Sequence, residues 1–545
     1  MKYICLLVAV SHAFLVTTAA GQSSPDIVLV NGKIFTGDNS TASATAIAII
    51  RERISAVGTD EVIRRMAGAR TRVIELNGRT VVPGFNDAHT HIQPEPEAFR
   101  LNFTSMEPSW AEVSTAVRTA VKAVKPREWI FGAVGGDAFT NPELNRANLD
   151  TLAPNNPVLL TTYYGHGTVV NSHAMRLLNI PENVADPAGG WYERDSKTRR
   201  FNGRIFEYAQ WRIHRLVADM VSDAAIIARI KKMGAEAAAF GITSMQIMPT
   251  ISGQRFVRLL DQANLPIRIR AMPFSLTTPR GRDLSEIRAV ARMRPANRKI
   301  TTDGIKWILD GTPFEHGSAM RKPYADRPDF RGKLNFPKNE VEAMVRESVA
   351  LNQQLLIHCS GDRCAETVMD AMENVGRGRI DWKTKRVRIE HGDAVAGDLI
   401  ERARRLGIIV VQNPTHFTVT EMLYKRWTPQ MIFSTQRSLI DGGVHYALGS
   451  DGPMNPFLNI MLATIHPARP TEAISRPRAV EAYTSGSAYA EFAETEKGTL
   501  AAGMLADLAV LSQDIFSVPT GALPETTSVM TIVGGKIVHD AKAVK

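Results

Sequence analysis

The chain has 545 residues, 44% hydrophobic and 22% charged, a balance that excludes a disordered or collagen-like polymer and allows a large buried core. Its 65 Lys and Arg exceed its 55 Asp and Glu, leaving a formal charge of +10. The basic residues are scattered (Arg51-Glu52-Arg53, Arg402-Ala403-Arg404-Arg405) and form no aromatic-basic stripe, so a solvated surface is expected and a nucleic-acid partner is not.

In chain order, Met1-Lys2-Tyr3 precedes an apolar run from Ile4 to Val16 and the small residues Thr17-Thr18-Ala19-Ala20-Gly21. This is the layout of a secretory signal peptide over residues 1–21, with cleavage after Ala20 and a periplasmic or secreted mature protein. The run is shorter than the roughly 20 apolar residues a membrane span needs, and no stop-transfer pattern follows, so no stable membrane anchor is expected; a retained anchor is the alternative. Cys5 falls in the signal. Cys359 and Cys364 are too close in sequence to build a disulfide framework.

Asp26 to Val30 and Lys33 to Thr36 are β-rich runs joined by Asn31-Gly32, a strong hairpin signal, and Ala46 to Val57 continues the pattern. Ala506 to Leu511 and Val529 to Val538, broken at Gly534-Gly535, have the same character. The economical reading is one small β-sandwich domain assembled from both ends, residues 22–80 and 497–545.

Between these flanks, over residues 81–496, apolar runs alternate with helical patterns, as parallel βα units do. Eight candidate strands, the number an α/β barrel of the (β/α)8 TIM type requires, are Thr80–His91, Gly241–Met248, Ile267–Phe274, Gly304–Gly311, Gln354–His358, Arg386–His391, Gly407–Gln412 and Tyr446–Asp451. Residues 95–235 far exceed a normal crossover and are expected to form a large inserted subdomain or lid after the first barrel strand.

The chemistry is carried at strand ends. Val81 to His91 ends in His89-Thr90-His91, and the two-residue period of a strand points both imidazoles to one face. Leu355 to His358, Val387 to His391 and Ala447 to Asp451 end in further ligand types. Any one of these histidines fits a buried structural role, and Asp451 a turn before Gly452-Pro453. At the carboxyl ends of barrel strands they would converge instead, forming an N/O site suited to a divalent metal, zinc by ligand type. Lys306 is a charge inside an apolar strand, read either as an ion-pair partner of Asp310 or as part of the site.

These residues resemble the amidohydrolase superfamily, and specifically amidohydrolase family 3, from roughly Asp26 to the end. Besides His-x-His, the matching pieces are Pro157-Val158 through Gly165-His166 to Asn171-Ser172, Lys306 with Asp310-Gly311, and His358 with Gly361-Asp362-Arg363. Arg388-Ile389-Glu390-His391, Gln412-Asn413-Pro414, Gly449-Ser450-Asp451-Gly452-Pro453, Ala482-Tyr483-Thr484 and Gly498 to Asp507 continue the series. The resemblance implies that His89 and His91 hold the more buried metal, His358 and His391 a second or shared position, and Asp451 both metal and proton. It further implies that Lys306 is carboxylated and bridges two zinc ions; one or two ions remain open. The sequence departs from the family pattern at Thr312 to Ser318 and at Cys359-Ser360, where Cys359 is expected to pack away from His358.

The expected reaction is cleavage of a non-peptide carbon–nitrogen bond in a small-molecule substrate, of N-acyl or N-formyl type, by metal-activated water with Asp451 as proton shuttle. His166 in the insertion is the nominated oxyanion donor, with Glu207 and His416 as weaker pocket candidates; His173, His214, His445, His466 and His539 read as structural. Deaminase, esterase or isomerase chemistry on the same scaffold, or a non-catalytic metal-binding exported protein, are the rival readings.

Overall fold

The structure is a computed structural model that describes residues 24–37, 44–427 and 433–543, so the expected signal peptide lies outside the described residues. Among the described residues no helix is long and apolar enough to cross a membrane.

The eight expected parallel strands are all present, as β1 (Phe85–Ile92), β2 (Ile242–Pro249), β3 (Arg268–Ala271), β4 (Ile305–Ile308), β5 (Leu355–Cys359), β6 (Arg388–His391), β7 (Ile409–Gln412) and β8 (His445–Leu448). The strands β1, β2 and β3 lie side by side in one parallel sheet, with Ile300–Thr301 at its edge, and β4 to β8 follow in sequence order in another. A parallel bridge between Phe274 and Lys306 links the β3 and β4 sides, and the Asp451 N–H donates to the His89 carbonyl at 2.9 Å beside β1 and β8. Apolar residues on both strand faces are what a sheet covered on both sides requires. Ile357, Ile389, Val410 and Leu448 join the large cluster shared with the helices, while Leu356 packs on Met248 and Met272 in a separate small cluster.

The expected strand Thr80–His91 is two strands. Thr80–Pro83 belongs to a five-stranded sheet that also holds Lys33–Ile34, Leu508–Leu511, Ser528–Val533 and Lys536–Asp540, which brings segments from both ends of the chain together. The break falls at Gly84, where a Cβ would meet the Thr243 side chain at 2.2 Å, so only glycine lets the chain pass from one sheet to the next.

The Asn31-Gly32 hairpin does not form. Ile27–Val30 pairs with Ala46–Ile50 and Arg72–Glu75 in a four-stranded sheet, whereas Lys33–Ile34 pairs with Thr80–Pro83 in the five-stranded one. A two-residue type I′ turn needs positive φ at both central residues; Asn31 has φ 56° but Gly32 is not in that region. The break at Gly534-Gly535 does turn a hairpin, with φ 54° and 70° between Ser528–Val533 and Lys536–Asp540.

The long segment after β1 carries its own six-stranded sheet, ordered Gly190–Arg194, Phe201–Glu207, Gly167–Val170, Val158–Thr162, Trp129–Val134 and Ala98–Arg100.

Candidate active site

The candidate side chains meet at the carboxyl ends of the parallel strands. His89 and His91 leave β1 on one face, with their Nε2 atoms 3.2 Å apart. Asp451, just past β8, brings Oδ1 within 3.8 Å of His89 Nε2 and 3.6 Å of His91 Nε2. Its Oδ2 lies 3.8 Å from His391 Nδ1 and 3.6 Å from His416 Nε2. The His391 ring is 4.5 Å from that of His358 and 4.8 Å from that of His89, centroid to centroid. Gly449 permits this approach: a Cβ there would lie 2.5 Å from the His89 backbone nitrogen. His391 and Asp451 both adopt left-handed backbone conformations, φ 70° and 41°, which cost non-glycine residues energy and concentrate at functional sites.

Three of these imidazoles, His89, His91 and His391, are oriented from behind. Glu390 Oε2 lies 2.5 Å from His89 Nδ1, the Met248 carbonyl 2.9 Å from His91 Nδ1, and Asn413 Oδ1 2.9 Å from His391 Nδ1. Glu390 is itself held by the buried Arg388 guanidinium, which donates to its two oxygens at 2.7 and 3.0 Å and to the Ala88 carbonyl at 2.8 Å. Fixing one ring nitrogen sets the tautomer and leaves the other lone pair for a metal. For His89 and His91 the Nε2 atoms remain, converging beside a carboxylate, so the donor set fits a divalent ion of borderline softness.

The electrostatics agree with neutral ligands. Burial, reinforced by Lys306, holds His89 well below the usual histidine range and His91 down to about 4. Burial and the facing imidazoles do the same to His358 and His391. Lys306 is almost fully buried, and burial lowers its ammonium to about 8 against the pull of Glu390 and Asp451. Burial raises the Asp451 carboxyl to about 7, with Lys306 opposing.

Of the two readings of Lys306, the ion pair with Asp310 is absent among the described contacts. The Asp310 carboxylate instead accepts backbone N–H groups of Ala319, Ser360 and Gly361 at 2.9, 3.0 and 2.9 Å, pinning the loop after β5. The cysteines also differ from expectation: Cys359 and Cys364 form a disulfide. Cys359 points to the face opposite His358, where Cys364 at the start of the helix Asp362–Gly376 meets it.

His166 comes from the inserted segment and stands over the same rim, its ring 4.7 Å from that of His358. Its Nδ1 lies 3.1 Å from Glu207, and Asn335 donates to the same carboxylate at 2.9 Å. Burial lowers His166, but the Glu207 carboxylate outweighs it and carries the imidazole up to about 9. Glu315, from the loop after β4, completes a His166–Glu207–Glu315 cluster, and burial raises its carboxyl to about 7. Trp211 lies between the two halves, with ring centroids 6.5 Å from His91 and 6.3 Å from His166.

His89, His91, His358, His391 and Asp451 are therefore brought together with Lys306 in electrostatic reach, and His166, Glu207 and His416 border them. Sequence reasoning missed the orienting roles of Glu390, Arg388 and Asn413, and the places of Glu315 and Trp211. A signal existed for Arg388 and Glu390: two charges at period two in an otherwise apolar strand point to the same strand face.

Comparison with known proteins gives the class. A family model described as the Amidohydrolase family matches residues 72–539, and the chain belongs to that family: it is a metal-dependent hydrolase of amidohydrolase type. An N-substituted formamide deformylase of Arthrobacter pascens is 28% identical over 550 residues, spanning 94% of this chain and 98% of that one. A metal-dependent hydrolase of Pyrococcus horikoshii OT3 superposes with a TM-score of 0.70 at 20% identity, covering 91% of this chain and 99% of that one. A zinc-bound adenosine deaminase of Xanthomonas campestris superposes at 0.52 with 13% identity, covering 95% and 93%.

Proposed function

We propose that this protein is an exported amidohydrolase that cleaves a non-peptide carbon–nitrogen bond of N-acyl or N-formyl type, on a closed (β/α)8 barrel with a terminal β-sandwich and a lid-forming insertion. The observation that carries the reading is the convergence of His89, His91, His391 and His416 on Asp451, the first three rings oriented from behind by Glu390, Met248 and Asn413. His89, His91, Lys306, His358, His391 and Asp451 would hold one or two divalent ions, zinc by ligand type. When bound, such an ion lowers the pKa of water toward about 7 and polarises a carbonyl oxygen. A lysine lowered to about 8 supplies the neutral amine that carbon dioxide adds to, which supports carboxylation of Lys306.

Asp451, raised to about 7, is poised to take the water's proton and return it to the leaving nitrogen near neutral pH. His166, kept protonated by Glu207, donates to the oxygen that gains charge as the amide is attacked. The 28% identity to an N-substituted formamide deformylase across nearly the whole chain favours formamides as the first substrates to try. Export is favoured by the Met1 to Gly21 pattern and by the Cys359–Cys364 disulfide, since such bonds persist in oxidising compartments.

The test is to purify the parent and Asp451→Asn, measure bound metals, and assay both on N-substituted formamides, N-acyl amino acids, cyclic amides and esters. Metal in both with turnover only in the parent supports the reading; a metal-free parent, or equal turnover in both, overturns it.

A further inference from the structure

We propose that the Cys359–Cys364 disulfide positions His358, and that disulfide formation and metal occupancy at His358 are energetically coupled. The inference rests on the reading of His358 as a metal ligand. Cys359 directly follows His358 at the end of β5, and both cysteines are 0% exposed with their Cα atoms 5.6 Å apart. The bond closes a loop of Ser360, Gly361, Asp362 and Arg363, fastening the end of the strand to the first turn of Asp362–Gly376.

The same stretch is tied on its other sides. The Cys359 carbonyl accepts the Gly392 N–H at 3.0 Å, directly after His391, and Cys364 Sγ lies 3.9 Å from the His358 carbonyl. The Asp310 carboxylate holds the N–H groups of Ser360 and Gly361. His358 itself has weak polar anchoring: its Nε2 lies 3.5 Å from the Gly311 carbonyl and 3.8 Å from Asp310, in contrast to the 2.5 to 2.9 Å contacts behind His89, His91 and His391. The covalent clamp on its neighbour takes the place of the short contact that orients the other imidazoles.

Coupling is reciprocal. If the oxidised pair raises affinity for the ion, the ion protects the bond from reduction by the same free energy. Because neither sulfur is exposed, a reductant reaches the bond through local opening of the β5 end, which an ion held by His358 suppresses.

The experiment uses the full mature chain and zinc. Tris(2-carboxyethyl)phosphine supplies two electrons, becoming the phosphine oxide with oxygen from water, while the S–S bond becomes two thiols counted by mass after alkylation. Zinc affinity is measured for the oxidised parent, the reduced parent and the Cys359→Ser/Cys364→Ser variant, with circular dichroism confirming folding. The expected result is affinity at least ~10-fold weaker in the reduced parent and the variant, within the range for lost ligand orientation. Reoxidation restores the parent alone, and zinc slows its reduction by a similar factor. Should the variant fail to fold, the parent's reduction rate with and without zinc decides. Equal affinity in oxidised and reduced parent, with zinc-independent reduction, overturns this coupling and leaves the proposed function standing; absence of zinc binding in every form overturns both.

Discussion

Two histidine environments lie a few ångströms apart in this site and end in opposite charge states. At the strand ends, His89, His358 and His391 are buried, with half-buried His91 beside them, and all four are held below the usual histidine range, His89 and His91 with a contribution from Lys306. On the insertion side, His166 is equally enclosed, yet its contact with Glu207 carries it up to about 9. The side chain is the same and burial acts in the same direction; the balance of neighbouring cations and carboxylates decides, Lys306 and Arg388 lowering His89 while Glu207 raises His166. In the proposed reaction, the neutral group would offer lone pairs to a metal and the charged one a proton to a substrate oxygen. Glu390 refines the contrast, since it too touches a histidine, but its charge is shared with Arg388.

The most severe way to break this division is to delete the neutral side. His89→Ala/His91→Ala is expected to lose bound zinc and reduce turnover to background, checked by elemental analysis and assay on the same sample. Deleting the charged side should separate binding from catalysis: His166→Ala keeps its zinc but loses ~10²- to 10³-fold in kcat, the usual cost of one oxyanion donor. Zinc loss in that variant would show that His166 belongs to the metal half instead. Between them stands Glu390→Gln, expected to weaken zinc binding ~10- to 100-fold through misorientation of His89. Unchanged affinity there would mean that backbone packing alone orients the ring.

Much of the neutral half was legible in the sequence because its information is local. A two-residue period fixes which way His89 and His91 point, and charged or ligating residues ending apolar runs mark strand tips. The rest depends on pairing between distant segments. The Asn31-Gly32 signal is correct turn chemistry, but Ile27–Val30 finds its partners in Ala46–Ile50 and Arg72–Glu75, and that pairing overrides the turn. Strand period offers Asp310 as one possible partner of Lys306, whereas three backbone N–H groups, Ala319 of its own loop and Ser360 and Gly361 after β5, claim it. The Cys359–Cys364 bond needed a helix start to fold back on a strand end. His166 could be nominated from its loop, but its charge depends on Glu207, 41 residues away in sequence.

The smallest and most discriminating perturbation therefore removes that one charge. In Glu207→Gln the acceptor geometry can persist while the largest force raising His166 disappears, leaving burial, which lowers it, opposed only by the weaker pull of Glu315 and Asp310. In the parent, His166 is protonated up to about pH 9, so kcat/KM should fall on the alkaline side near that value. In the variant the alkaline limb should move down from about 9, with a loss of activity at pH 8 of up to ~10-fold. Stability should follow the same sign. A raised folded-state pKa gives a contribution fully present below about pH 6.5 and lost as pH rises through about 9, so the parent's advantage over the variant should shrink between pH 6 and pH 9.5 in denaturant titrations. If both proteins keep the same alkaline limb, the proton that matters above neutrality belongs to another group, and the two histidine environments differ in geometry without differing in charge.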